Sequence, residues 1–162
     1  AAVVNTTSGY TGKAWIGLYE DLVNRWKWSL PDSSFYGEGE TTYRNWFGDI
    51  YYFYQYYYPG SQQCVYIYNY YYPSGQWSQN PCTSQLPFVC YNGQINGTPS
   101  FVYRAEHLTW TDAQKFCREN YVDLASVRNQ TENNIISSLI GYSSAWIGLY
   151  QKKLWSDGSS SL

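Results

Sequence analysis

Four cysteines and one histidine are the residues of this 162-residue chain best suited to covalent or metal chemistry. The cysteines are Cys64, Cys82, Cys90 and Cys117, and no two of them form a C-x-x-C pair. A zinc site needs several nitrogen or sulfur ligands close together, and His107 is the sole histidine. The spacing suits disulfides in an oxidising compartment instead. Three N-x-[ST] acceptors for glycosylation, at Asn5, Asn96 and Asn129, point the same way, to a secreted chain or the ectodomain of a membrane protein. Glu38 and Glu40 are paired carboxylates, but they sit among Gly37 and Gly39 in a polar loop that offers no burial to raise a pKa. G-x-S-x-G, H-E-x-x-H and a glycine-rich phosphate loop are all missing from the sequence. No base and nucleophile pair emerges, so the reading is a binding protein and not an enzyme.

Charge narrows the partner. Ten Lys and Arg face twelve Asp and Glu, for a net charge of −2. No basic stripe exists to hold phosphates, so nucleic acid is not expected. No apolar run is long enough to span a bilayer, so this segment is not expected to insert into a membrane. No charged-then-apolar leader opens the chain, and Ala1 reads as an interior or mature start. The aromatic content stands out, with 20 Tyr, 8 Trp and 6 Phe. Tyrosine buries ring area at low entropic cost while its hydroxyl seeks a partner, and contact surfaces are rich in it. It also fills half-buried strand faces.

The elements that must position these residues differ along the chain. Residues 1–92 read as strand-rich. Trp15–Leu18 is a short buried strand, Cys64–Tyr68 alternates like a strand, Pro73-Ser74-Gly75 is a turn, and Gln76-Trp77-Ser78 starts a further strand. Leu86–Cys90 is an apolar end strand. Residues 93–99 are polar, with two glycines and a proline, and read as a linker or turn. Residues 100–162 are helix-rich. Phe101-Val102-Tyr103 reads as a strand, and Thr109 with Asp112 signals a helix start. Trp110, Ala113, Phe116 and Cys117 then share one face of a helix over about Trp110 to Asn120. Asn129 with Glu132 repeats the signal for a second helix through Ile135, Ile136, Leu139 and Ile140, ending near Gly141.

A long-period repeat links the halves. Ala14-Trp15-Ile16-Gly17-Leu18-Tyr19 recurs as Ala145-Trp146-Ile147-Gly148-Leu149-Tyr150, and each copy is followed by a Trp-Ser pair, Trp28-Ser29 and Trp155-Ser156. The period is domain-sized, so this is no solenoid. It implies parts of two homologous domains: the C-terminal part of one in 1–92 and the N-terminal part of the next in 100–162.

The motifs together carry a family resemblance. A-W-I-G-L, K-W-S, Tyr43-Arg44-Asn45-Trp46, and C-x17-C-x7-C ending in Pro87-Phe88-Val89-Cys90 resemble the late half of a C-type lectin-like domain. Leu108-Thr109-Trp110 through Phe116-Cys117, then Asp123-Leu124-Ala125-Ser126-Val127, resemble its early half. The resemblance implies an α+β fold of two helices with small antiparallel sheets and a long loop that carries the ligand site. It implies a Cys64–Cys82 bond. Cys90 and Cys117 look like the two ends of the family's other bond, and two arrangements stand open. In tandem domains each would pair with a cysteine outside this chain. In a permuted closure they would bond to each other, the 93–99 stretch would serve as a hairpin turn, and one W-I-G-L copy, the C-terminal one, would be left over. Trp15, Trp28, Trp46, Trp77, Trp110, Trp146 and Trp155 occupy positions that are core in the family.

The resemblance also implies a calcium site for sugar, held by an E-P-N or Q-P-D loop triplet and a W-N-D strand triplet. Ca²⁺ takes six to eight oxygens, several of them from carboxylates. This chain departs at each place: Phe47-Gly48-Asp49-Ile50 stands in the loop, Trp77-Ser78-Gln79 in the strand, and Gln62-Gln63 before the cysteine. No Ca²⁺ or other cofactor is expected there. Aromatics replace the acids, and the candidate ligand-binding residues are Tyr51, Tyr52, Tyr54, Tyr56, Tyr57, Tyr58, Gln62 and Gln79. The expected ligand is a glycan or a cell-surface protein. The plainer reading is that the tyrosine runs pair as strands, in which case only alternate rings face outward.

Overall fold

The structure is a computed structural model, and it describes residues 26–47, 61–69 and 75–152. The chain divides into two compact units, residues 1–27 with 152–162, and residues 28–151. The second unit contains nearly all of the described residues. The first W-I-G-L copy, Trp155, Asn5 and the tyrosines from Tyr51 to Tyr58 lie outside them.

In chain order the described elements are β1 (Trp26–Trp28), a 3-10 turn (Ser33–Phe35), β2 (Gln63–Tyr68), β3 (Gln76–Pro81), β4 (Leu86–Ile95), β5 (Thr98–Leu108), α1 (Trp110–Asn120), β6 (Asp123–Leu124), α2 (Gln130–Ile140) and β7 (Ser144–Gln151). The main sheet runs β3-β2-β7-β4-β5, with β6 paired to β4. Two helices with a mainly antiparallel sheet give the α+β fold that the resemblance implies. The departure is β4 against β7, which run parallel where Phe88 meets Trp146.

Both helices start as their local chemistry dictates. Thr109 Oγ1 accepts a bond from the Asp112 amide at 3.2 Å, and Asn129 Oδ1 accepts from the Glu132 amide at 3.0 Å. Each satisfies a donor that the helix itself leaves unpaired. α1 buries Trp110, Ala113 and Cys117, with Phe116 half-buried beside them. α2 buries Ile136 and Ile140 but leaves Ile135 and Leu139 exposed. It stops at Gly141, whose φ of 62° suits glycine.

Residues 93–99 run as a hairpin. Gln94 pairs with Pro99 and Ile95 with Thr98, around Asn96 and Gly97 at φ 54° and 79°. Two successive positive φ values define the tight turn for which Asn-Gly is suited. β4 therefore continues beyond the expected Leu86–Cys90, and β5 extends well past Phe101–Tyr103 on both sides. Pairing across the hairpin sustains both strands where their own side-chain pattern turns polar.

Across that hairpin the two halves of the sequence share one core. Cys64, Phe88 and Cys90 from before it cluster with Trp110, Ala113, Cys117, Leu124 and Trp146 from after it. Cys64 bonds to Cys82 and Cys90 to Cys117, with Cα separations of 5.0 and 5.4 Å. Of the two arrangements left open for Cys90 and Cys117, the structure shows the bond within one chain.

One expectation is corrected. The C-terminal copy Ala145–Tyr150 is not left over. It forms β7, between β2 and β4 in the sheet, with Ala145, Trp146, Ile147 and Leu149 fully buried. The physical reason is local: the segment that feeds it is already docked, since Gly148 N donates to Ala125 O at 2.8 Å. A second correction concerns Trp46, which is half-buried rather than core, whereas Trp28, Trp77, Trp110 and Trp146 are buried as expected.

Candidate ligand-binding site

Trp77 organises the face where the resemblance places a ligand. It is fully buried on β3, and Trp28, Tyr43 and Trp46 meet it edge-on at 5.8, 5.7 and 6.1 Å between ring centroids. Edge-to-face packing sets positive ring edges against a negative ring face. The indole Nε1 donates to Asn133 Oδ1 at 2.7 Å, and Asn133 Nδ2 donates to Gly75 O at 2.9 Å. The Tyr43–Trp46 segment is held by the same strand: Trp77 N donates to Asn45 O and Phe47 N to Trp77 O, both at 2.9 Å. Tyr43 OH reaches Gln130 Oε1 on α2 at 2.8 Å.

Gln62 lies just before β2 and Gln79 within β3. Gln62 is half-buried, and its Nε2 donates to Gln151 O at 2.9 Å. Gln79 pairs with Val65 in the β2–β3 ladder and is 1% exposed. Ser78, also buried, has a hydroxyl with no hydrogen-bond partner, as do Gln63 Oε1 and Gln151 Nε2. Of the positions that the resemblance assigns to calcium, the described ones are uncharged: Gln62 before the cysteine, Ser78 and Gln79 on the strand. These three side chains by themselves offer no carboxylate oxygen to a hard divalent cation. Among the described residues no group of three or more His, Cys, Asp or Glu side chains could hold a metal ion.

Sequence reasoning missed Asn69. It is buried at the end of β2, donates to Ser137 O at 2.9 Å and to Gly141 O at 2.5 Å, and accepts from Gly75 N and Ser137 Oγ at 2.8 and 2.7 Å. All four of its possible roles are filled, and it ties the chain leaving β2 to the C-terminal end of α2. A lone Asn in a tyrosine run carries no signal for this. The ion pair of Arg128 and Glu132 was half-visible as a helix-start acid. The structure adds that Glu132 is buried and that the Arg128 guanidinium lies 4.0 Å from the Phe35 ring centroid. Donating to the Glu132 carboxylate raises the Arg128 pKa.

The remaining singled-out residues are plainly placed. His107 is exposed, with Nδ1 3.1 Å from the Ala105 carbonyl. Glu40 folds back on the Gly37 amide at 2.7 Å, closing its own loop. Asn96 is exposed at the hairpin tip, while Asn129 is half-buried with its side-chain oxygen engaged as a helix cap.

Residues 1–92 and 106–161 match the model of the lectin C-type domain. The chain belongs to this C-type lectin family. Its similarity to C-type mannose receptor 2 of Rattus norvegicus is 30% identity over 184 residues, covering 94% of the chain and 12% of the receptor. E-selectin of Oryctolagus cuniculus is 32% identical over 54 residues, which is 32% of the chain and 10% of the selectin. Snaclec bitiscetin subunit alpha of Bitis arietans is 37% identical over 65 residues, 32% of the chain and 50% of the snaclec subunit. The chain thus spans only a small part of the mannose receptor that it matches along most of its own length. No solved structure matches with significance. Two disulfides brace the fold in the manner of proteins from oxidising compartments.

Proposed function

We propose that this C-type lectin domain is an extracellular recognition module that binds glycan without Ca²⁺ and does no chemistry on it. The observation that carries the reading is the replacement of acids by Gln62, Ser78 and Gln79 beside an aromatic loop. Stacking of rings on sugar faces, with hydroxyls hydrogen-bonding at the edge, needs no ion. The tyrosines Tyr51, Tyr52, Tyr54, Tyr56, Tyr57 and Tyr58 are the groups assigned to that contact. The family, and a relative named for mannose, support a carbohydrate ligand. The parent protein is read as a tandem array, with 1–92 and 100–162 derived from successive domains. Linked weak sites of that kind gain avidity. Asn5, Asn96 and Asn129 are the proposed glycan acceptors.

Glycan-array binding in EDTA tests the reading. Signal that persists in EDTA and falls when Tyr56 and Tyr57 are changed to Ala is the expected result. Binding that EDTA abolishes would overturn it. A second reading, recognition of a protein at the cell surface, is favoured by the outward Ile135, Leu139 and Tyr142, exposed at 36, 41 and 85%. Silence on glycans, with partner capture lost on changing these three residues, would select it.

A further inference from the structure

The tip of the β4–β5 hairpin is weakly supported by the rest of the sheet. A register irregularity between Tyr91 and Gln94, with Gly93 at φ 80°, separates it from the main ladder. Beyond that point two residue pairs remain, Gln94 with Pro99 and Ile95 with Thr98. Gln94 through Thr98 are all exposed. A Cβ at Gly97 would meet nothing within 4 Å, so the space over the turn is open.

Ile95 stands out at this tip. It is 58% exposed, against 44% for Val122 and 41% for Leu139, the next most exposed aliphatic side chains among the described residues. A single exposed apolar side chain needs no explanation by itself. This one, however, directly precedes the glycan acceptor sequence Asn96-Gly97-Thr98. Ile95 and Thr98 are opposite each other, so their side chains lie on one face of the hairpin. The tight turn at Asn96 and Gly97 reverses the chain at once and keeps Asn96 beside that pair.

We propose that Ile95 and Thr98 form a platform for the first N-acetylglucosamine of a glycan on Asn96, and that this sugar braces the hairpin tip. The inference rests on the reading of Asn96 as a glycan acceptor. In the attachment step Asn96 Nδ2 bonds to C1 of the sugar while the C1–O bond to a lipid-linked diphosphate donor breaks. Nδ2 gives up one proton to solvent, and the lipid diphosphate leaves. A pyranose ring presents C–H groups on its face, and laying that face on Ile95 removes apolar surface of both from water. The sugar hydroxyls stay in water. One ring resting on Ile95 of β4 and Thr98 of β5 ties the two strands together where their pairing is shortest. The competing account is that Ile95 serves only as a β-branched residue that suits a strand.

Four full-length proteins, secreted from cells that attach N-linked glycans, separate these accounts: the parent, Asn96→Asp, Ile95→Thr and the double variant. Asn96→Asp removes the acceptor but keeps a residue suited to this turn. Ile95→Thr keeps the β-branch and loses the apolar surface. Peptide mass mapping of the parent should find N-acetylhexosamine on the Asn96 peptide. Asn96→Asp should lower the melting temperature by about 3 °C in the parent, and should leave it nearly unchanged in the Ile95→Thr background. The same four proteins made without glycosylation should show no such dependence of one change on the other. An Asn96 peptide without sugar would overturn the acceptor reading and the platform with it. A sugar whose removal lowers the melting temperature equally in both backgrounds would overturn the platform alone. Coupling that persists without glycosylation would assign the effect to the side chains and also overturn the platform.

Discussion

Ser29 Oγ donates to Asp123 Oδ1 at 2.5 Å, joining two residues 94 positions apart. Ser29 belongs to the segment before the hairpin and Asp123 to the segment after it. Arg118 braces the pair, with Nε 3.1 Å from Asp123 Oδ2 and an Nη 2.9 Å from Ser29 O, while Gln114 Nε2 donates to Ser29 Oγ at 2.8 Å. Asp123 is 2% exposed, so these partners supply the hydrogen bonds that its carboxylate would otherwise make to water.

Asp123→Ala should therefore be costly. It leaves the Ser29 hydroxyl without its acceptor and removes the acceptors of Arg118 Nε and of the Leu124 amide. We expect a loss of about 3 kcal/mol, against about 1 kcal/mol for Ser29→Ala. Urea denaturation of both variants measures the difference, and equal small losses would show the network to be incidental.

Gly75→Ala should destabilise for two separate reasons. Its φ is 60°, and an added Cβ would lie 2.6 Å from Asn133 Nδ2. Asn133 cannot yield without giving up its bond to Trp77 Nε1. The expected loss is about 2–3 kcal/mol, seen as a lowered melting temperature together with a red-shifted tryptophan emission.

Tyr36 should titrate late. Burial pushes its phenol up to about 12 from the usual 10, partly offset by the hydrogen bond with Ser126. Its hydroxyl also donates to Leu30 O at 2.8 Å. A folded-state pKa above the unfolded one means that the unfolded chain loses its proton first. The stabilisation is complete below pH 10 and is lost as pH rises toward 12. Tyr36→Phe should flatten the fall in stability between pH 10 and 12, measured by urea midpoints across that range.

The Cys90–Cys117 bond should appear within one chain on non-reducing peptide mapping. It encloses a separation of 27 residues, and changing both cysteines to Ala should cost about 3 kcal/mol. Mapping that finds free thiols or links between chains would contradict the closure.

Much of the helical half was legible because its signals are local. Thr109 and Asn129 lie at helix starts that capping chemistry demands, and the apolar spacing after Thr109 leaves one face for α1. The hairpin was written as an Asn-Gly pair, yet its strands reach further than any local pattern because pairing, not residue type, extends them. The choice of W-I-G-L copy was illegible for a plain reason: the two copies are identical, and only flanking residues such as Gln151 and Glu20 distinguish them. At the proposed ligand face the identities of Gln62, Ser78 and Gln79 could be read directly. The central role of Trp77 and the four bonds of Asn69 could not, since both depend on groups brought from α2.

Because Ser29 N meets Gly148 O, the compact unit takes in and gives out its chain at neighbouring points. Tension along the polypeptide would therefore load this entry strand and β7 first and peel them apart like a zipper. The rest would yield afterwards, but never to full contour length, since the covalent loops 64–82 and 90–117 withhold their residues from extension. The chain order thus places the mechanical weak point where the Ser29 backbone meets β7.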